Sequence, residues 1–356
     1  MLDPVETNER PWRAPRIAPV DEAARVEAYR RLDTLTKPLG SLGHLESLAA
    51  QLCAIQRSLH PSVEQPLAIV FGADHGAAER GVSAYPKAVT VQMIKNFLVG
   101  GAAISVLARQ QNFDLWVVDA GVDGDCGQHP SLINAKIRAG THDYASSPAM
   151  TERECHQALS SAASILQRVA PAGCNLLIPG EIGIGNTASA ALLMHGLTGM
   201  ALAECVGRGT GLDDEGLKRK LSILTLAAAR RRIPTDPVEL LTEFGGFEIA
   251  MLVGVMLTAA ARRMAILVDG FTVSVAAALA ARIDPAAKDY FIFAHCSAER
   301  GHRALLNLLQ AQPLLNLGMR LGEGTGSAVA LSIVRCAVAL FNDMATFASA
   351  GVSEKN

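Results

Sequence analysis

Large rings are scarce in this 356-residue chain: ten Phe, four Tyr and two Trp make up 4% of it. A core with so few aromatics is filled by small and branched side chains, which favours close helix–sheet packing over an all-β sandwich. No charge of one sign dominates, since 32 Lys and Arg stand against 34 Asp and Glu for a net charge of −2. That balance supplies no basic coat for nucleic acid or for an anionic membrane surface. Seven cysteines are scattered with no C-x-x-C pair, which excludes a zinc ribbon or a thioredoxin-type site and points to a reduced, cytoplasmic chain. The longest apolar run, Ile249 to Ala261, stops at Arg262 and Arg263, short of the ~20 residues a membrane span needs. The lead MLDPVETNERPWRAPRIAPV has no apolar stretch of the signal-peptide kind. Also missing are a Walker G-K-[ST], the nucleophile elbow G-x-S-x-G and any H-x-x-x-H spacing.

What is present is a chain that is 50% apolar with 31 glycines, long enough for one large α/β domain and a smaller companion. Short apolar runs ending in glycine-bearing loops alternate with helical stretches. The expected strands are Leu67–Phe71, Leu115–Asp119, Asn175–Ile178, Ala265–Val268 and Tyr290–Phe293. Between and after them the pattern predicts helices over Lys87–Phe97, Ala102–Gln111, Thr151–Val169, Thr187–His195, Glu215–Arg231, Phe247–Arg262 and Val273–Arg282. Unbroken apolar strands of this kind imply a Rossmann-like parallel sheet with helices on both faces. Helices expected over Asp21–Leu35, Leu42–Leu59 and Ser327–Ala350 would form a small helical subdomain from residues 1–60 and 327–356, leaving 61–326 as the large α/β domain.

In such sheets ligands bind beyond the carboxyl ends of the strands, and three glycine-rich loops fall there. The first, Glu181-Ile182-Gly183-Ile184-Gly185-Asn186-Thr187-Ala188, contains G-x-G-x-x-A and opens a helix. It is open to three readings: a nicotinamide-dinucleotide site with Glu204 as the ribose acid, a plain glycine turn, or a backbone cradle for an anion or nucleotide. The other two share one spelling, Gly207-Arg208-Gly209-Thr210-Gly211 and Gly322-Glu323-Gly324-Thr325-Gly326. Alternating glycines expose consecutive N–H groups, the geometry of a phosphate-binding nest or of a helix-capping turn. Glu323 stands out because it sits among mostly apolar residues, where burial raises a carboxyl pKa into general-base range. Asp74-His75-Gly76 follows a strand, but one Asp–His pair is not a ligand set, so His75 is expected to orient substrate or structure rather than metal. Ser297 is either a helix cap or a phosphate contact. Lys220, beside Lys218 and Arg219, reads by itself as part of a solvated basic face.

Taken in order along the chain, nine segments carry a resemblance. They are KPLGSLGHLE (Lys37–Glu46), ADHG (Ala73–Gly76), YPKAVT (Tyr85–Thr90), GEIGIGNT (Gly180–Thr187), VGRGTGL (Val206–Leu212), GGFE (Gly245–Glu248), DGF (Asp269–Phe271), HCSAERG (His295–Gly301) and MRLGEGTG (Met319–Gly326). Together they resemble the nicotinate-nucleotide–dimethylbenzimidazole phosphoribosyltransferase family, which makes the lower-ligand nucleotide of cobalamin. The resemblance implies a homodimer with no cofactor. It implies transfer of phosphoribose from nicotinate mononucleotide to 5,6-dimethylbenzimidazole with inversion at C1′, and Glu323 as base. It further implies that Gly209, Lys220, Ser297 and Gly326 hold the 5′-phosphate, and that Glu181, Gly183 and Asn186 line the nicotinate and ribose pocket. Leu321, Tyr85, Gln92 and Met93 would face the benzimidazole. Rival readings are the same transfer to another azole, a purine or a phenol, a nicotinamide-dependent oxidoreductase, and a nucleotide binder without catalysis.

Overall fold

The computed structural model describes residues 11–353; the first half of the proline-rich lead and the last three residues lie outside the described residues. Six strands form one parallel sheet: β1 (Leu67–Ala73), β2 (Asp114–Gly121), β3 (Leu132–Asn134), β4 (Leu176–Ile182), β5 (Ala265–Val268) and β6 (Phe291–Phe293). Their order is β3-β2-β1-β4-β5-β6, the doubly wound order of the Rossmann-like fold. Its reversal point, and hence its natural ligand crevice, lies between β1 and β4. β1 is buried along its whole length, as a central strand covered on both faces should be.

The helices are α1 (Glu22–Thr34), α2 (His44–Gln56), α3 (Ala88–Leu98), α4 (Ala103–Gln111), α5 (Glu152–Val169), α6 (Asn186–Thr198), α7 (Leu202–Cys205), α8 (Asp214–Ala229), α9 (Pro237–Phe244), α10 (Phe247–Ala261), α11 (Phe271–Ile283), α12 (Arg300–Leu308), α13 (Thr325–Asp343) and α14 (Phe347–Ala350). The apolar run 249–261 lies in α10, a helix with thirteen of fifteen residues buried. Apolar on every side, it is a core helix packed between neighbours rather than a surface one. Two stretches, 88–111 and Thr325–Asp343, have the length and composition of a membrane span. The first is broken between α3 and α4 at Gly100 and Gly101, and α13 buries its inner face against the sheet and α2.

The fold departs from the sequence pattern in four places. β4 runs on through Pro179 to Ile182. Its ladder to β5 stops at Leu177, so beyond that point one edge is free and a residue without N–H is tolerated. β3, only three residues long, extends the sheet beyond β2. α9 occupies a stretch whose sequence reads as loop and begins with Asp236 capping and Pro237 in the first turn, whereas α12 is the helix that the cap reading of Ser297 expects after HCSAERG. The expected single C-terminal helix is two, α13 ending at Asp343 and α14 coming after a break at Met344–Thr346.

α1, α2 and α13 enclose a small apolar core of their own, formed by Ala28, Leu32, Leu35, Ala49, Ala50, Cys53 and Phe341. Arg31 donates to the carbonyls of Phe341 and Asn342 near the end of α13, and Thr36 N–H donates to Ala345 O at 2.9 Å. One chain end is thereby clamped to the other. The other end of α13 starts inside the large domain, at the tips of the strands.

Candidate active site

Acidic and imidazole side chains crowd the carboxyl ends of the strands, and the backbone dictates each placement. Asp74 and His75 follow β1 and are wholly buried. Thr90 Oγ1 donates to Asp74 Oδ1 at 2.6 Å and accepts from Ile184 N–H at 3.2 Å, tying α3 to the first glycine loop. His75 Nε2 lies 2.6 Å from Glu248 Oε1 at the start of α10, and Glu248 is also wholly buried. Glu181, on β4, accepts from the Asn186 side-chain amide. Asp269 follows β5, and His295 follows β6 with Nε2 3.6 Å from Asp269 Oδ1.

Glu323 projects into this group from the last glycine loop. It is 3% exposed, and its Oε2 has no hydrogen-bond partner. Its φ of +66° is left-handed, a conformation that side chains other than Gly, Asn and Asp rarely adopt. Four of the other five such residues (Arg57, Asn112, Arg263 and Gln310) follow helix ends, where the conformation is routine. Glu323 instead stands ahead of a helix, where strain of this kind is held in place by its surroundings. Gly180 contributes to that: a Cβ there would strike the Glu323 carbonyl, so only glycine lets the loop seat on β4.

Burial, then the nearby Asp269 charge, pushes the Glu323 carboxyl up to about 7, opposed by a hydrogen bond from Ile104 N–H. That N–H belongs to the first turn of α4, which has no side-chain cap of its own, so Glu323 also completes a helix end. Burial likewise pushes Glu181 up to about 8, reinforced by Asp269, Glu248 and Glu323. A cluster of buried carboxyls thus shares too little solvation for all to ionise at neutral pH, and it favours a cationic guest.

The opposite charge lies across the site. Lys220 on α8 is wholly buried, against the sequence reading of a solvated face. Its Nζ donates to Thr187 Oγ1 at 2.9 Å and Gly207 O at 3.2 Å, which leaves one of its three donors for a ligand. Burial pulls it down to about 8, with Glu299 acting against that. Gly209 N–H donates to the Glu299 carboxylate, and Arg320 donates to Gly209 O at 3.2 Å. Ser297 N–H donates to His302 Nδ1 at 2.8 Å, and His302 Nε2 lies 2.9 Å from Ser274 Oγ. Burial holds His302 down to about 3, with His295 and Arg303 adding to the effect, so it is a neutral structural imidazole.

The residues singled out by sequence therefore fall into three groups. Glu181, Gly183, Asn186 and Glu323 meet at the acidic strand tips, and Gly209 and Lys220 meet at Thr187, the neighbour of Asn186. Gly326 lies against Asp269 and His295, and Ser297 is buried on the same loop as His295. Leu321, Tyr85 and Gln92 are exposed and Met93 is half-buried; Ser83 Oγ, beside Tyr85, lies 3.4 Å from Thr210 Oγ1. Glu248, Asp269, Glu299, Thr90 and Thr187 lie within GGFE, DGF, HCSAERG, YPKAVT and GEIGIGNT without a role of their own there. Asp269 directly precedes Gly270 and Glu248 stands two residues after Gly246, a faint signal that becomes specific only once their distant partners are known. Glu204 lies exposed on α7 rather than at a strand end, which removes the dinucleotide reading of the first loop.

Residues 17–352 match the model of a phosphoribosyltransferase family. A nicotinate-nucleotide–dimethylbenzimidazole phosphoribosyltransferase of Dechloromonas aromatica is 53% identical over 338 residues, covering 94% of this chain and 97% of that protein. The enzyme of the same name from Cupriavidus necator is 51% identical over 339 residues, 95% of this chain and 98% of that one. The crystal structure of CobT from Thermus thermophilus superposes with a TM-score of 0.90 at 40% identity, covering 94% of this chain and all of that one. With the doubly wound sheet and the acidic strand tips, these matches mean that the chain belongs to the nicotinate-nucleotide–dimethylbenzimidazole phosphoribosyltransferase family of enzymes.

Proposed function

We propose that this chain transfers the phosphoribosyl group of nicotinate mononucleotide to 5,6-dimethylbenzimidazole, forming α-ribazole 5′-phosphate and nicotinate. The observation that carries the reading is Glu323: a buried carboxyl with an unpartnered oxygen, pushed up to about 7, at the tip of a strained glycine-flanked loop. A benzimidazole nitrogen attacks C1′ from the face opposite the pyridinium. The C1′–N bond to nicotinate breaks, and its electron pair stays on the departing ring. The β-linkage becomes α, and the N–H proton of the acceptor passes to Glu323. A positioned base of this kind contributes typically ~10²–10⁴-fold.

The charge layout suits that substrate. Its phosphate is assigned to Gly209, Lys220, Ser297 and Gly326, where a buried ammonium with one free donor favours an anion. Its pyridinium, and the positive charge that develops on the ribose as the ring leaves, match the acidic tips near Glu181, Gly183 and Asn186. Leu321, Tyr85, Gln92 and Met93 are the proposed benzimidazole contacts. A homodimer in a reduced cytoplasm completes the reading, in keeping with seven free cysteines.

The test is chromatographic: nicotinate mononucleotide with and without 5,6-dimethylbenzimidazole, following nicotinate and the new nucleotide. Base-dependent nicotinate release with matched α-ribazole phosphate is expected. Release without the base would mean a glycohydrolase, and release only with another azole, a purine or a phenol would reassign the acceptor.

A further inference from the structure

The loop bearing Glu323 is held from one side by the carboxylate at the end of β5. Asp269, at the end of β5, is 1% exposed. Its Oδ1 accepts from Ser327 N–H at 2.9 Å, and its Oδ2 is buried without a hydrogen-bond partner. α13 begins at Thr325 with Gly324 as its N-cap and no side-chain cap of its own. Asp269 supplies that cap from another element. Ser327 Oγ donates to Leu267 O at 2.8 Å, a second tie to β5 two residues earlier. A Cβ on Gly326 would press on the His295 ring and come within 2.8 Å of Asp269 Oδ1, so the first turn of α13 is seated tightly against this pair.

We propose that Asp269 is a positioning residue for Glu323, fixing the start of α13 to the end of β5 and placing its charge beside the base. The proposal rests on the reading of Glu323 as the base. Gly324, one residue from Glu323, is the N-cap of the helix whose first turn Asp269 holds through Ser327, so any shift at Asp269 moves the carboxyl that must meet the acceptor N–H. A misplacement of about 1 Å at such a point costs on the order of 10²-fold in rate. The groups facing Glu323 are Asp269 from β5, Glu181 from β4 and the Ile104 N–H of α4, with His295 behind Asp269. Asp269 is the one among them whose charge and hydrogen bond both bear on the loop.

Two substitutions separate charge from position. Asp269→Asn keeps the shape and removes the charge. The acid limb of kcat should then move to lower pH, on the order of one unit for a neighbouring charge in a buried site, and kcat should fall about tenfold or more. Asp269→Glu keeps the charge and lengthens the side chain, so kcat falls while the limb stays at the wild-type pH. KM for nicotinate mononucleotide stays within about threefold in both. A residue that only capped α13 would lower the melting temperature and leave both the limb and kcat of the folded enzyme unchanged, which would overturn the proposal. Should the Asn variant not fold, a Glu variant with wild-type kcat overturns it equally. Glu323→Gln in the same assay keeps the two claims apart. Wild-type turnover there removes the base itself, whereas a dead Gln variant beside an unaffected Asp269→Asn removes only Asp269.

Discussion

Gly207-Arg208-Gly209-Thr210-Gly211 and Gly322-Glu323-Gly324-Thr325-Gly326 share a spelling and are put to opposite uses. In the first loop the charged residue points away: Arg208 is exposed, donating to Leu212 O at 2.9 Å and pairing with Asp214. That loop offers backbone inward, with Gly209 N–H on Glu299 and Lys220 reaching the Gly207 carbonyl. In the second loop the charged residue is the part turned inward, and the backbone holds it there. The difference lies in the segment after each loop. Leu212 and an Asp213 cap separate the first from α8, leaving Arg208 and Thr210 at the surface. The second runs directly into α13, whose first turn is seated on the tips of β5 and β6, so Glu323 has nowhere to go but into the site. The same glycine spacing thus leaves its charged side chain at the surface or buries it, according to tertiary placement.

Substitutions at the two loops should break this symmetry unequally. The largest effect is expected from Glu323→Gln, which preserves shape and removes the proton acceptor. Turnover should drop about 10²–10⁴-fold while nicotinate mononucleotide binding, read by calorimetry, stays within a few-fold. At the cradle, Lys220→Met removes a buried ammonium, and a lost charged hydrogen bond of about 1.5–3 kcal/mol corresponds to roughly 10- to 100-fold weaker binding of the nucleotide. The same titration with Arg208→Ala is the internal control, since an exposed ion pair contributes at most about 1 kcal/mol to stability and Arg208 faces away from the cradle. A large binding loss there would mean that the two loops do not differ in this way.

Much of this arrangement was legible along the chain, for physical reasons. Long apolar strands such as Leu67–Phe71 announce a buried parallel sheet, and the mostly apolar neighbours of Glu323 mark a carboxyl with little room for solvent. β3 escaped because three residues carry no period. Lys220 was hidden for a different reason. Lys218 and Arg219 beside it are exposed, and only the helical phase of α8 turns the third basic residue inward. Asp269 is legible only in three dimensions, because its partner Ser327 lies 58 positions away.

The central claim is that Glu323 takes the proton in the transfer step, and its titration reads that most directly. As a base it must be ionised, and burial beside Asp269 raises it to about 7, so activity should be lost as pH falls through that value and regained above it. The measurement is kcat/KM from about pH 5 to 9, wild type beside Glu323→Gln, because kcat/KM reports the groups of the free enzyme, to which the value of about 7 belongs. The account predicts a one-proton rise centred near 7 in the wild type and no such rise in the residual activity of the Gln variant. A wild-type profile that stays flat through that range, or a Gln variant that keeps the same limb, would contradict it.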